Sequence, residues 1–213
     1  MAASRQEQFT GTTAVREAHA FDVGALETYM RAHVEGFAGP LEVEQFKGGQ
    51  SNPTFKLITP NKKYVLRRKP PGKLLKGAHA VDREYKVITA LGTTGFPVAK
   101  TYALCTDDAV IGTWFYIMDC VEGRIFWDTA FPEVDVAARP QYFDAMNQAM
   151  AELHMADYKA MGLEDYGRPG NYFARQISRW SRQYVEDPEA GKFEEMDRVV
   201  DWLPENIPAG EEV

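Results

Sequence analysis

The sequence predicts an α+β protein, with an antiparallel sheet and flanking helices in its first part and helices alone in its second. Three observations carry this. Between Leu41 and Lys69 three short β-prone runs follow one another through connections too short for a parallel crossover, which leaves an antiparallel meander. From Pro140 onward, apolar residues recur at helical spacing in three successive segments. Between the two parts an apolar run, Tyr116 to Val121, ends at Glu122-Gly123, a polar, glycine-containing exit with the character of a hinge. The expected organisation is therefore a flexible arm at 1–20, a first lobe at 21–121 and a helical lobe at 122–213.

Composition narrows the class. The 213 residues are enough for one large domain or two small lobes with a core that needs no staples. A net charge of −7, with no long block of like charge, speaks against nucleic acid as a partner. Cys105 and Cys120 form no close-spaced metal or redox motif, so free thiols in a reducing cytoplasm are expected. No apolar run reaches the length of a membrane span, and the N-terminus has no apolar signal region, so neither a membrane nor a secretory route is expected.

In chain order, residues 1–20 are polar and irregular. A first helix starts with Asp22 as N-cap and carries Val23, Leu26, Met30 and Val34 before Gly36, Gly39 and Pro40 stop it. Strands follow at Leu41–Lys47, Thr54–Ile58 and Tyr64–Lys69, the last two joined by the turn Thr59-Pro60-Asn61-Lys62. After Pro70-Pro71-Gly72 a helix runs from Val81 to Leu91, then two strands, Val98–Leu104 and Trp114–Val121, separated by a turn at Thr106-Asp107-Asp108. Past the hinge, Pro140 opens a helix bearing Met146, Met150 and Leu153. Phe173, Ile177, Trp180 and Tyr184 mark a second, closed by Asp187-Pro188, and Phe193, Met196, Val200 and Leu203 a third, stopped by Pro204. His154 flanks an apolar helical face, where a packed, hydrogen-bonded role is expected rather than a catalytic one; Trp127, Tyr172 and Trp180 are candidates to line an acceptor cleft.

Chemistry concentrates in the first lobe. Gly48-Gly49-Gln50-Ser51-Asn52 joins two strands with a glycine pair that permits a sharp turn with exposed N–H groups, and Ser51 and Asn52 add short donors suited to a phosphate ester. Alone, this is an ordinary hairpin. On the next strand Tyr64, Leu66 and Arg68 share one face and Val65, Arg67 and Lys69 the other. Glu84 sits on the apolar stripe formed by Val81, Tyr85, Ile88 and Leu91, where a carboxylate needs a cation, and Arg67 is the candidate partner. The alternative is a glutamate at the stripe's edge, solvated and unpaired.

Gly48-Gly49-Gln50-Ser51-Asn52, Val65-Leu66-Arg67, Arg83-Glu84-Tyr85, Phe115 to Asp119 and Glu122-Gly123 resemble the N-terminal lobe of the aminoglycoside phosphotransferase family, relatives of choline kinases and protein kinases. The run from Gly48 to Leu75, with Arg67-Arg68-Lys69-Pro70-Pro71-Gly72, more specifically resembles the phosphotransferase-like domain fused to some acyl-CoA dehydrogenases. The resemblance implies a protein-kinase-like fold, with an N-lobe sheet and one helix, a hinge and a partial helical C-lobe. It implies ATP and magnesium as cofactors and a hydroxyl-bearing small molecule as acceptor. Carried over by position, Gly48, Gly49, Ser51 and Asn52 would cover the ATP phosphates, and Arg67, where a lysine is usual, would contact them with Glu84 as its helix partner. Met118 would back the adenine site, Asp119 and Val121 would offer it backbone groups, and Val65 would pack on the ring. An arginine keeps the charge and widens the donor fork, with a different reach.

The family's His-Gly-Asp-x4-Asn loop and its metal-gripping aspartate do not occur in these 213 residues. Asp201 and Asn206 have the x4 spacing, but Val199 replaces the histidine and Asp201 belongs to a predicted helix. The expectations are thus no catalytic residue or metal ligand here, a chain that stops before the catalytic loop, and a polypeptide inactive by itself. Three readings follow: a phosphotransferase acting on a small-molecule hydroxyl, one acting on a hydroxyacyl-CoA, and an inactive nucleotide- or partner-binding module.

Overall fold

The computed structural model describes residues 5–48, 51–72, 78–168, 170–189 and 191–209. Its contacts divide the chain into two units, 1–163 and 164–213. The expected lobe boundary at 121/122 falls inside the first unit.

The first unit is built on a six-stranded sheet, antiparallel at every junction, in the order β1-β2-β3-β4-β6-β5. Its chain begins with a short helix α1 (Arg5–Phe9) and strand β1 (Thr12–Thr13), followed by a single 3-10 turn at Glu17–His19. Helix α2 (Val23–His33) starts where the sequence places it, because the Asp22 carboxylate accepts from the Ala25 N–H at 2.9 Å. Strands β2 (Glu42–Phe46), β3 (Thr54–Ile58) and β4 (Lys63–Arg68) form the expected meander. Helix α3 (Val81–Gly92) leads to β5 (Thr101–Cys105) and to β6 (Phe115–Asp119), which crosses back to pair with β4. Between β5 and β6 the expected turn is a one-turn helix, α4 (Asp108–Ile111), since the Asp107 carboxylate caps the Ala109 N–H and Gly112 closes the turn at φ 83°.

Strand alternation sorts the sheet into two faces. Phe55, Leu57, Tyr64, Leu66, Phe115 and Ile117 share a covered core on the back with Leu26 and Met30 of α2 and with Val34 just after it. A single helix was expected beside the sheet. The structure has α2 on the back, while Val65, Arg67, Tyr116 and Met118 lie on the opposite face, towards the side of α3. Arg68 belongs to the back face and is only 2% exposed. It donates to the His19 carbonyl at 2.9 Å and stacks over Phe21 and Phe55, and burial lowers the pKa of its guanidinium.

Residues 5–20 differ from the irregular arm that their polarity suggests. Thr12 and Thr13 pair with Phe46 and Gln45, and the Arg16 N–H donates to the Gln45 side chain at 3.1 Å. The Thr12 hydroxyl donates to Glu44 at 2.7 Å. Polar residues here satisfy the backbone and side chains of an edge strand, a use that a hydropathy pattern does not reveal.

Past β6 the chain has no regular structure until a 3-10 turn at Val136–Ala138 and helix α5 (Arg139–His154), with Pro140 in its first turn as expected. The second unit contributes α6 (Tyr172–Glu186) and α7 (Glu194–Glu205). Pro204 lies inside the last turn of α7 and not beyond it. At that position a proline forfeits one hydrogen bond, and the chain closes through Asn206 N–H to the Leu203 carbonyl. Among the described residues no helix is long and apolar enough to cross a membrane.

Candidate functional site

The site is assembled on the sheet face opposite the core. Thr54 of β3 stands beside Arg67 of β4, which stands beside Tyr116 of β6, so these side chains share one surface by register alone. Glu84 reaches the same surface from the first turn of α3. Arg67 Nε donates to Glu84 Oε2 at 2.7 Å and Nη2 lies 3.5 Å from Oε1, which is the pair that the helix stripe and strand parity predict. The solvated, unpaired glutamate is thereby ruled out.

Other donors complete the carboxylate's surroundings. Tyr116 donates from its hydroxyl to Glu84 Oε2 at 3.2 Å, and Asn52 Nδ2 donates to Oε1 at 3.0 Å. Burial, followed by the charge of Glu84, pushes the Tyr116 hydroxyl well above the ordinary phenol range, with Arg67 opposing. Arg67 Nη1 also donates to the Thr54 hydroxyl at 3.2 Å. A guanidinium has five N–H donors, so among the described residues these three bonds leave two uncommitted on a side chain about 30% exposed. Tyr116 and Thr54 escaped the sequence reading because their relevance comes from register; strand parity with Arg67 was the available signal.

The glycine turn is packed closely. A Cβ on Gly48 would lie 3.1 Å from Trp127 Cζ2 and 3.3 Å from the Phe9 carbonyl oxygen, so any larger residue there would have to push these neighbours back by a few tenths of an ångström. Phe9 and Trp127 stack with centroids 5.0 Å apart, while Gln6 donates to the Ile125 carbonyl at 2.6 Å and accepts from the Trp127 N–H at 3.1 Å. The N-terminal segment thus ties the turn to the chain beyond β6. Trp127, considered for an acceptor cleft, is engaged here.

Of the remaining candidates, Ser51 is exposed, and Gly49 lies outside the described residues. Val65 is buried and opposite Met118 in register, as a shared packing surface requires. Asp119 lies on the back face, where Tyr102 donates to it at 2.6 Å and Lys62 pairs with it at 2.9 Å. Burial alone would raise its carboxyl, but the hydrogen bonds from Tyr102 and Lys62 and the charges of Lys62 and Lys100 together hold it below the usual range. Val121 is 73% exposed. Asp201 is an exposed residue of α7, and Asn206 Nδ2 donates to the Trp202 carbonyl, consistent with their rejection as a catalytic pair. His154 is exposed in the last turn of α5, so the packed role expected for it is corrected. Among the described residues no group of three histidine, cysteine or carboxylate side chains could hold a metal ion.

A profile of the phosphotransferase enzyme family matches residues 42–213. The chain belongs to this family. A crystal structure at 2.32 Å of a "putative aminoglycoside phosphotransferase" from Ralstonia eutropha JMP134 superposes with a TM-score of 0.73 at 54% identity, covering 89% of this chain and 54% of that one. The fold is therefore the protein-kinase-like α+β architecture that the motifs imply. Curated relatives include "Probable acyl-CoA dehydrogenase IBR3" of Arabidopsis thaliana, 50% identical over 208 residues, and "Acyl-CoA dehydrogenase family member 11" of Gallus gallus, 46% identical over 202 residues. These alignments cover 92% and 93% of this chain but 25% and 26% of the relatives, so the chain spans about a quarter of their length.

Proposed function

We propose that this family member is the nucleotide-binding part of an ATP-dependent phosphotransferase that phosphorylates a hydroxyl group of a small molecule. The observation that carries the reading is the Arg67–Glu84 pair beside the glycine turn, with guanidinium donors left over. Glu84 and Thr54 fix the orientation of Arg67, so its charge is in place before an anion arrives, and a fixed guanidinium loses little freedom on binding one. The donor set suits polyphosphate oxygens. Ser51 is exposed next to Asn52, which bonds Glu84, and Val65 with Met118 offers an apolar surface for a base.

Among the described residues no group of three histidine, cysteine or carboxylate side chains could hold a metal ion, and no step is assigned to magnesium here. Binding, orientation and charge neutralisation are the roles left to these residues, and the polypeptide 1–213 by itself is proposed to bind nucleotide without transferring its phosphoryl group. The acceptor reading has two branches. Likeness to the Ralstonia protein favours an aminoglycoside; the names of the curated relatives favour an acyl-CoA, which would need a hydroxyl to accept a phosphoryl group and is read here as a hydroxyacyl-CoA.

Calorimetric titration with ATP tests the core of the reading. Binding is expected for the wild type, with Arg67→Ala and Glu84→Ala weakening it at least about tenfold, the effect of losing one charge-assisted contact. No binding at millimolar ATP, or unchanged affinity in both variants, overturns it. Radiolabelled transfer to aminoglycosides or to hydroxyacyl-CoAs by residues 1–213 overturns the proposed inactivity, and whichever acceptor is labelled selects between the two branches.

A further inference from the structure

Asn52 is the residue whose surroundings depart most from its expected role. A side chain meant to cover a phosphate should present its amide to solvent, yet Asn52 is 3% exposed and both ends of the amide are taken. Nδ2 donates to Glu84 Oε1 at 3.0 Å, and Oδ1 lies 2.8 Å from His79 Nδ1. A carboxylate offers no proton, so the nitrogen end must be the one that meets Glu84. The oxygen end is then left for His79, whose Nδ1 must carry the hydrogen that it donates. Turned over, the amide would set oxygen against oxygen at Glu84 and nitrogen against the donor at His79.

The backbone around His79 is shaped for this contact. His79 has φ 57°, in the left-handed region that non-glycine residues seldom occupy, and Ala80 follows at φ −76°, ψ 75°. These are the angles of an inverse γ-turn, closed by the Val81 N–H to the His79 carbonyl at 2.9 Å. The pair reverses the chain just before α3 and places the imidazole against the glycine-rich turn. Strain held in place by surrounding contacts is a mark of positions with a role beyond packing.

We propose that His79 is a positioning residue of the nucleotide site. By donating to Asn52 Oδ1 it holds the amide so that Nδ2 donates to Glu84, and Glu84 in turn stays aligned on Arg67. Asn52 acts through Glu84, and His79 acts through Asn52. This rests on the nucleotide reading above only for its consequence for affinity; the alignment of Arg67 is a property of the protein alone.

The test uses two readouts on the same variants of the 213-residue chain. NMR of the Arg67 Nε–H reports the ion pair directly, and calorimetry with ATP reports the site. His79→Ala is expected to shift the Arg67 Nε–H resonance and speed its exchange with water, and to weaken ATP about tenfold. His79→Asn tolerates the left-handed backbone and carries an amide N–H close to the Nδ1 position, so it should restore the resonance and keep affinity within about threefold. Asn52→Asp retains an acceptor for His79 but loses the donor to Glu84, and should behave like His79→Ala; it also serves if His79→Ala fails to fold. Failure of the wild type to bind ATP would sink the nucleotide reading and leave the NMR comparison to decide this one. The proposal is overturned if the Arg67 resonance is unmoved in His79→Ala and Asn52→Asp, or if His79→Asn resembles His79→Ala.

Discussion

The strands of the first unit and the helices from α5 onward both carry regularly spaced apolar residues, with opposite results. On the back of the sheet Phe55, Leu57, Leu66, Phe115 and Ile117 are wholly covered, and α2 is bound to them through Leu26 and Met30. In α5, α6 and α7 no residue is buried: Met146, Met150, Trp180, Met196 and Trp202 all stand well exposed on faces with clean helical spacing. Periodicity tells a reader which face of an element will seek cover. It does not say whether the covering element is among the residues present.

Core truncation should break this contrast first if it is wrong. Phe115→Ala and Leu66→Ala are each expected to lose about 3–5 kcal/mol by urea denaturation, whereas Met146→Ala and Trp202→Ala should stay within about 0.5 kcal/mol. Comparable losses at both kinds of site would mean that the helical faces are covered in solution. Next in size, Arg68→Met removes a buried cation that carbonyls and rings hold among the described residues, and a loss of about 2 kcal/mol is expected because the His19 carbonyl loses its donor. A stabilised variant would show that burial of the guanidinium costs more than its contacts return.

Asp119 gives a smaller and pH-dependent effect. Its carboxyl is held below the usual range in the folded protein, so it adds stability above the unfolded value of about 4 and that stability disappears as pH falls through the folded value. Asp119→Asn should therefore be less stable than wild type at pH 7, by less than about 1 kcal/mol given the partial exposure of the pair, and the difference should narrow as pH falls below about 4 towards the folded value. Urea midpoints at the two pH values check this. The exposed helical faces sharpen the comparison last: concentration-dependent elution of residues 1–213 in size-exclusion chromatography is expected, and a sharp, concentration-independent monomer peak would count against it.

Much of the first unit was legible because its signals are local. Asp22 announced the start of α2, strand parity separated Arg67 from Arg68, and the stripe position of Glu84 required a cation. The Arg67–Glu84 pair was legible because strand parity and the helix stripe each carry one half of it. Asn52 was assigned to phosphate because nothing local reveals that Glu84 would claim one end of its amide and His79 the other. His79 and Tyr116 were missed for the same reason, since each matters only through a residue more than thirty positions away or a turn with unusual angles. The role of residues 5–20 was also hidden, because backbone pairing at a sheet edge leaves little trace in side-chain type.

That last segment bears on how the protein should be handled. The family match begins at residue 42, so a fragment cut to the matched region would discard β1 together with the Gln6 and Phe9 contacts to Ile125 and Trp127. Such a fragment would keep its fold family and its ion pair, yet expose the outer hydrogen-bonding groups of β2 at Gln45 and Phe46, a ready template for a strand from another molecule. Residues 5–41 are therefore better kept in any fragment that is to hold this sheet edge covered.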